Sequence, residues 1–339
     1  MIPSLDDLIE RSHVVSLPLR VKFRGITTRE ALLIEGPAGW GEFSPFKEYG
    51  PSEASHWLAC GIEMAYQGPP ELQRDKVEVN GTIPAIEPER VPELLERYPG
   101  CMTIKVKVAE KGHTLEMDRA RVEAVRQARP GAKIRIDANT GWSIDQAEEA
   151  AKTFGPLDYL EQPCATLEEL KELRTRLQRQ GIFQRIAADE SIRKADDPFK
   201  VVDMRAADVG VVKAAPLGGV RRLLAVAKHL RSHGMDVTVS SALDTAVGLN
   251  AGIAAVAALP SHDDDDLIDV PPAPAGLGTG SLFLEDVAEP RELYDGFLDA
   301  APVVPDRARL AEFKADAETT RWWLERLRAT HEELARHTH

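Results

Sequence analysis

From residue 77 the chain falls into a rhythm that few folds can accommodate. Eight short runs rich in β-branched residues lie at 77–80, 102–108, 133–139, 159–162, 185–189, 209–214, 236–241 and 275–279. Amphipathic stretches separate them. Between the second and third runs, Met117, Ala120, Val122, Val125 and Ala128 recur near helical spacing, and Pro130-Gly131 ends the helix. The stretches 145–154, 167–180 and 220–233 repeat the pattern, the last stopped by Gly234. Strands that alternate with helices build a parallel sheet, and eight regular repeats close on themselves. The expected fold is α/β, a (β/α)7β TIM-like barrel over residues 77–283. An open doubly wound sheet is the rival, and no GxGxxG follows the first strand to support it.

The flanking segments read differently. Residues 14–23 and 29–35 have strand character, with Arg24-Gly25 as the turn between them, and 40–45 run from strand into loop. Residues 52–65 read as a helix with Ser52 as N-cap. After about residue 284 the barrel rhythm ends. Residues 307–336 predict one or two helices, with Trp322, Trp323, Leu324 and Leu327 as the buried stripe. The expectation is an α+β cap made of residues 1–76, against which the C-terminal segment 284–339 packs back. His262 and the four aspartates at 263–266 precede the eighth run. Consecutive carboxylates without glycine or spaced ligands fit no common metal loop, so a solvated surface insertion is expected.

Composition narrows the function classes. Lys and Arg number 42 against 55 Asp and Glu, a net charge of −13 that disfavours binding to nucleic acid. The most apolar stretch, 246–259, is too short for a membrane span of roughly 20 residues, and the N-terminus has no export-signal core. A cytoplasmic protein, free of membrane or nucleic-acid partners and monomeric or a small homo-oligomer, is expected. Cys60, Cys101 and Cys164 are too few and too scattered for a disulfide framework or a zinc site. No nucleophile elbow and no Walker loop occurs.

Residues at the C-terminal ends of barrel strands face the active site. The second strand ends in Lys105-Val106-Lys107, whose alternation puts both lysines on one side. Two adjacent, partly desolvated ammonium groups lower each other's pKa and make a lysine a usable base. The third strand supplies Arg135, Asp137 and Asn139, the fourth Glu161, the fifth Asp189 and Glu190, and the sixth Lys213. The intervals 107 to 137, 137 to 161, 161 to 189 and 189 to 213 are 30, 24, 28 and 24 residues, one βα unit each. Any one of these charges alone reads as a rim salt bridge. Carboxylates converging in one barrel mouth call for a cation, and an oxygen-only ligand set favours Mg2+ or Mn2+. Lysines beside such a site suit removal of a proton α to a carboxylate, with the enediolate held by positive charge.

The ordered set Lys-x-Lys, Asp-x-Asn, Glu-Gln-Pro, Asp-Glu-Ser and Lys on successive strands resembles the enolase superfamily, in its muconate-lactonising-enzyme-like branch. The resemblance spans nearly the whole chain. It implies Asp137, Glu161 and Asp189 as ligands of Mg2+, with Mn2+ as a substitute. It implies Lys107 as the base and, in a dehydration, the acid, with Lys105 lowering its pKa and binding the substrate carboxylate. Lys213 would stabilise the enolate, and Asn139, Glu190 and Arg135 would support the site from behind. Ser240, Ser241 and Gly278 would hold a substrate tail. Arg24, Phe43, Ser44 and the residues up to Phe46 would close the pocket from the cap. The segments Val79-Asn80-Gly81-Thr82, Ser240-Ser241-Ala242-Leu243-Asp244-Thr245 and Gly276-Leu277-Gly278-Thr279-Gly280 resemble the branch's hydro-lyases of menaquinone biosynthesis. These remove water from a succinyl-substituted hydroxycyclohexadiene carboxylate.

Four other readings stand beside this one. An N-succinylamino acid racemase would use Lys107 and Lys213 as two bases. A dipeptide epimerase would carry Asp-x-Asp where Gly276-Leu277-Gly278 stands, and a sugar-acid dehydratase would need a His–Asp pair that the later strands lack. A non-catalytic binding barrel would have lost a ligand or a lysine, and none is lost.

Overall fold

The structure is a computed structural model, and it describes residues 2–23, 25–193, 199–264 and 268–336. Seven parallel strands form one sheet in the order Asp236–Val239, Val209–Val212, Ile186–Ala188, Tyr159–Glu161, Lys133–Asp137, Thr103–Lys107, Gly81–Ile83. Closure is brief. Ala275 bridges Val79, and Gly276 bridges Ser240, both in parallel. Gly276 is needed at that seam, because a Cβ there would lie 2.6 Å from Ser240 Oγ. The first barrel strand lies later than expected. Lys76–Glu78 pair antiparallel with the returning segment Phe297–Asp299, and only Gly81–Ile83 join the second barrel strand. Val77, Val79 and Ile83 are all buried, so the apolar pattern alone does not tell the two pairings apart.

Helices Leu115–Ala128, Ile144–Thr153, Leu167–Arg179 and Val220–Ser232 lie where periodicity predicts them. Capping boxes at Ser143/Gln146 and Thr166/Glu169 start two of them, each contributing about 1 kcal/mol. Among the described residues the fifth crossover instead holds two short helices, Glu190–Arg193 and Lys200–Met204. Strand residues facing outward, such as Ile104, Val106, Ile134 and Ile136, join the core shared with the helices. Tyr159, Ala187, Val209 and Val211 form a separate apolar cluster. Arg135 is buried and linked to three other barrel segments. It bonds Asp158 at 2.7 Å, Asn80 at 3.0 Å and the Pro274 carbonyl at 2.6 Å, and lies over the Tyr159 ring.

The cap is an antiparallel three-stranded sheet, Ser12–Phe23, Ile26–Gly36 and Gly39–Phe43, with helix Pro51–Ile62. That helix begins at Gly50 with Pro51 in its first turn, so Ser52 is not its N-cap. Its C-terminal partner is helix Ala317–Arg336, which buries Trp323, Leu327 and Thr330. Trp322 leaves the expected stripe. It is 38% exposed, with Lys47 and Arg326 over its ring. Trp323 stands edge-on to Phe43 and donates from Nε1 to Glu30 at 2.8 Å. Backbone bonds from Ser16 to Phe313 and from Ala315 to Val14 fasten the tail to the first cap strand. The acidic segment is partly described: His262–Asp264 pair antiparallel with Ile268–Val270, and Asp265 and Asp266 lie outside the described residues. Among the described residues no helix is long and apolar enough to cross a membrane.

Candidate active site

Strand alternation fixes which side chains meet. Lys105 and Lys107 share one side of the second barrel strand, paired in register with Arg135 and Asp137; Asp137 is in turn paired with Glu161. The three carboxylates Asp137, Glu161 and Asp189 are buried, as are Lys105 and Lys213. Lys105 Nζ donates to Asp137 at 3.0 Å and to both oxygens of Glu161 at 2.9 and 3.2 Å. Lys107 Nζ donates to Asp137 at 2.5 Å and to Asn139 Oδ1 at 2.7 Å. Lys213 Nζ donates to Asp189. Asn139 reaches on from Nδ2 to Glu190 at 3.3 Å.

The turns that follow these strands are strained and tied down. Ala109, Asn139, Thr140 and Gln162 all hold positive φ without being glycine. Gln162 is fully buried and spans two turns. It accepts from the amides of Asp189 and Ser191 and donates to the Cys164 carbonyl. Its single side chain therefore sets where the fifth strand delivers Asp189.

The electrostatics favour a further positive charge. Burial, and then the neighbouring Asp137, push Glu161 up to about 7. Burial raises Asp137 too, but Lys105 and Lys107 outweigh it and hold the carboxyl well below the usual range. For Lys105 burial lowers the pKa, and Asp137 with Glu161 more than reverse this, so its ammonium form is strongly favoured. At Lys105 the carboxylates thus dominate over the lowering expected from a neighbouring ammonium. No group of three carboxylate, imidazole or thiol ligands converges on one point among the described residues. The ammonium of Lys105 instead bridges Asp137 and Glu161. The donor chemistry still fits a hard divalent cation: three buried carboxylates on adjacent strands, with Glu161 pushed upward by burial and then by Asp137.

A cavity of about 50 Å3 lies over this cluster, lined among others by Lys107, Asp189, Lys213, Ser241, Thr279 and Phe46. Through Phe46, Lys107 and Asn139 it adjoins a groove of about 1080 Å3 between the cap and residues 84–86. Ser240 and Ser241 line the cavity as expected, Ser241 Oγ lying 2.7 Å from Thr279 Oγ1. Gly278 does not. It faces a neighbouring cavity beside Tyr98, and Gly276 and Thr279 take its place. Phe43 is buried in the cap core against Trp323, and Ser44 is consumed in a buried hydrogen-bond network; of the cap residues expected here, Phe46 is the one that reaches the cavity. Arg24 lies outside the described residues.

Two cap residues that sequence reasoning passed over tie the cap to the barrel. Arg29 is buried and donates to the Leu243 carbonyl at 2.9 Å and to the Ser44 carbonyl at 2.6 Å, with its guanidinium over Phe46. Glu42 accepts from the amide and hydroxyl of Thr245. A charge inside an otherwise apolar strand was the available signal for Glu42, whereas Arg29, between Thr28 and Glu30, offered none.

Relatives agree with this architecture. Residues 14–65 match the family described as Enolase N-terminal domain-like, and residues 90–304 the family described as Enolase C-terminal domain-like. The o-succinylbenzoate synthase of Mycolicibacterium smegmatis is 53% identical over 333 residues, covering 97% of this chain and 98% of that protein. That of Mycobacterium marinum is 53% identical over 342 residues, 99% of each. Among solved structures, muconate lactonizing enzyme from Pseudomonas putida superposes with a TM-score of 0.72 at 21% identity, over 90% of this chain and 98% of that one. At that identity the likeness speaks for the fold alone.

Proposed function

Because the chain belongs to the o-succinylbenzoate synthases of the enolase superfamily, a family of hydro-lyases, we propose that it dehydrates 2-succinyl-6-hydroxy-2,4-cyclohexadiene-1-carboxylate to 2-succinylbenzoate, as a step of menaquinone biosynthesis. The observation that carries the reading is the placing of Lys107 and Lys213 on one small cavity above three buried carboxylates. Asp137, Glu161 and Asp189 would hold Mg2+, which when bound supplies positive charge against the developing enediolate.

The chain's own residues do the rest. Lys107 in its neutral form takes the proton α to the carboxylate, and the C–H electrons move into the carboxylate as an enediolate. Lys213, by its charge, stabilises that anion. The β hydroxyl then leaves with the proton Lys107 carries, as water, and the ring becomes aromatic. One lysine serves as base and then acid, so both groups leave from one face. Phe46 and the narrow cavity exclude water from the proton in transit.

The test follows loss of the diene's ultraviolet absorbance with purified protein and Mg2+. Rapid turnover is expected, stopped by chelation and reduced by about 10²–10⁴-fold in Lys107→Ala. In parallel, N-succinylphenylalanine in D2O is watched by NMR for α-proton exchange. Fast exchange with negligible dehydration would replace the dehydratase reading by a racemase with Lys213 as second base.

A further inference from the structure

We propose that Asp118 and Arg121, a buried ion pair early in helix Leu115–Ala128, are positioning residues that set where the Lys107 amine stands for proton transfer. The inference rests on the reading of Lys107 as the base.

Both side chains are 1% exposed, and Arg121 Nη1 lies 2.8 Å from Asp118 Oδ1. Arg121 Nη2 also lies 3.0 Å from His113 Nδ1, and the pair's other bonds go to the backbone around the base. Arg121 Nη1 donates to the carbonyl of Lys107 itself at 3.0 Å, and Nε donates to the Ile86 carbonyl at 2.7 Å. Asp118 Oδ2 accepts from the Ala109 amide at 2.8 Å. Between these points Val108 N donates to the Asp137 carbonyl at 3.0 Å. The second barrel strand ends at Lys107, where ladder bonding stops. Of the four backbone groups from Lys107 O to Ala109 N, three are held in this way, Lys107 O and Ala109 N by this one ion pair and Val108 N by Asp137.

The pair also sets the shape of the turn. Ala109 has φ of 59°, and Gly141 from the turn after the third strand passes so close that a Cβ there would meet Ala109 Cβ at 2.8 Å. Ile86, held by the same guanidinium, lines the groove that leads to the cavity. One helix turn thus locks the ends of the first two barrel strands, with the third packed against them. Stability alone is a poor reason for the arrangement. A buried ion pair is often no better than apolar residues of the same volume, so what it adds here is a fixed position. Lys107 Nζ stands at the end of four methylenes, and a small rotation of its backbone swings it away from the reacting carbon.

The test compares Arg121→Met, Arg121→Lys and Asp118→Asn in the metal-loaded enzyme. Turnover is expressed per folded molecule, with the folded fraction from circular dichroism and Mn2+ affinity measured separately. Arg121→Met is expected to lower kcat on the order of 100-fold, the cost of a misplacement near 1 Å, while KM and Mn2+ affinity stay near wild type. Arg121→Lys, whose ammonium can still pair with Asp118 and donate to a carbonyl, regains part of that loss relative to Arg121→Met. Asp118→Asn, which keeps an acceptor for the Ala109 amide, gives a smaller fall and serves should Arg121→Met not fold. If the variants unfold more easily but keep wild-type kcat per folded molecule, the pair is structural only and the inference fails. If Lys107→Ala keeps wild-type turnover, it is the reading of the base that fails.

Discussion

The barrel and the cap reach the same cavity by opposite routes. Strands two to six of the barrel deliver chemistry directly: each ends in an ionisable side chain, and alternation along a stiff strand decides where it points. The cap sends in Phe46, and otherwise acts through buried connections, Arg29 to the Leu243 and Ser44 carbonyls and Glu42 to Thr245. Under the proposed mechanism a change in the barrel mouth removes a reacting charge, whereas a change in the cap moves a wall. The two should separate in kinetics, one in kcat and the other in KM.

Beyond Lys107→Ala, the largest contrast is expected from Lys213→Ala. It removes a positive charge from the cavity and should lower kcat by about 10²–10³-fold, as loss of one stabilising donor does elsewhere. Steady-state kinetics in which KM moved instead would break the comparison. Arg29→Met comes next. It should raise KM more than it lowers kcat, and reduce stability by about 2–3 kcal/mol in urea unfolding, because charged hydrogen bonds to two buried carbonyls are lost. A fall in kcat alone would place Arg29 with the barrel lysines.

The smallest effect is one of pH. Asp244 is buried at the cap–barrel seam, and burial together with Glu42 raises its carboxyl to about 7 from an ordinary value near 3.9. The folded protein then binds this proton more tightly than the unfolded chain. Its contribution to stability is complete below about pH 4 and is lost as pH rises through about 7. Asp244→Asn should flatten the fall in Tm between those limits relative to wild type. An identical slope in the variant would mean that the seam carries no such proton.

The same contrast explains what could be read from the sequence. Lys107, Asp137, Glu161, Asp189 and Lys213 were legible because each sits at the end of an apolar run at one βα interval from the next, a pattern that survives without knowing any distance. The helices were legible through periodicity and caps. The cap contacts were not: Phe43, Phe46 and Ser44 are near neighbours in sequence, yet one is core, one lines the cavity and one is wired to Arg29. Only the packing against Trp323 sorts them. The first barrel strand slipped for a related reason. The chain changes partners at Val79, from the antiparallel strand Phe297–Asp299 to the barrel, and both partners want apolar residues there. Gly278 was displaced by Gly276 and Thr279 because a short turn of 3-10 helix replaces the eighth strand's alternation.

That eighth strand has a consequence in time as well as in space. The hoop is joined by two single-residue bridges, Val79 to Ala275 and Ser240 to Gly276, whose partners are far apart along the chain on the Val79 side. Such a clasp forms late in folding, after the long sheet has been laid down, because the entropy of closing so large a loop is returned only when both bridges and Arg135 engage. Within the hoop it is also the part expected to open before the long ladders do. Amide hydrogens at Asn80, Ala275 and Gly276 then exchange ahead of those in the second and third strands, and the serine wall of the cavity moves on a faster clock than the lysine wall facing it.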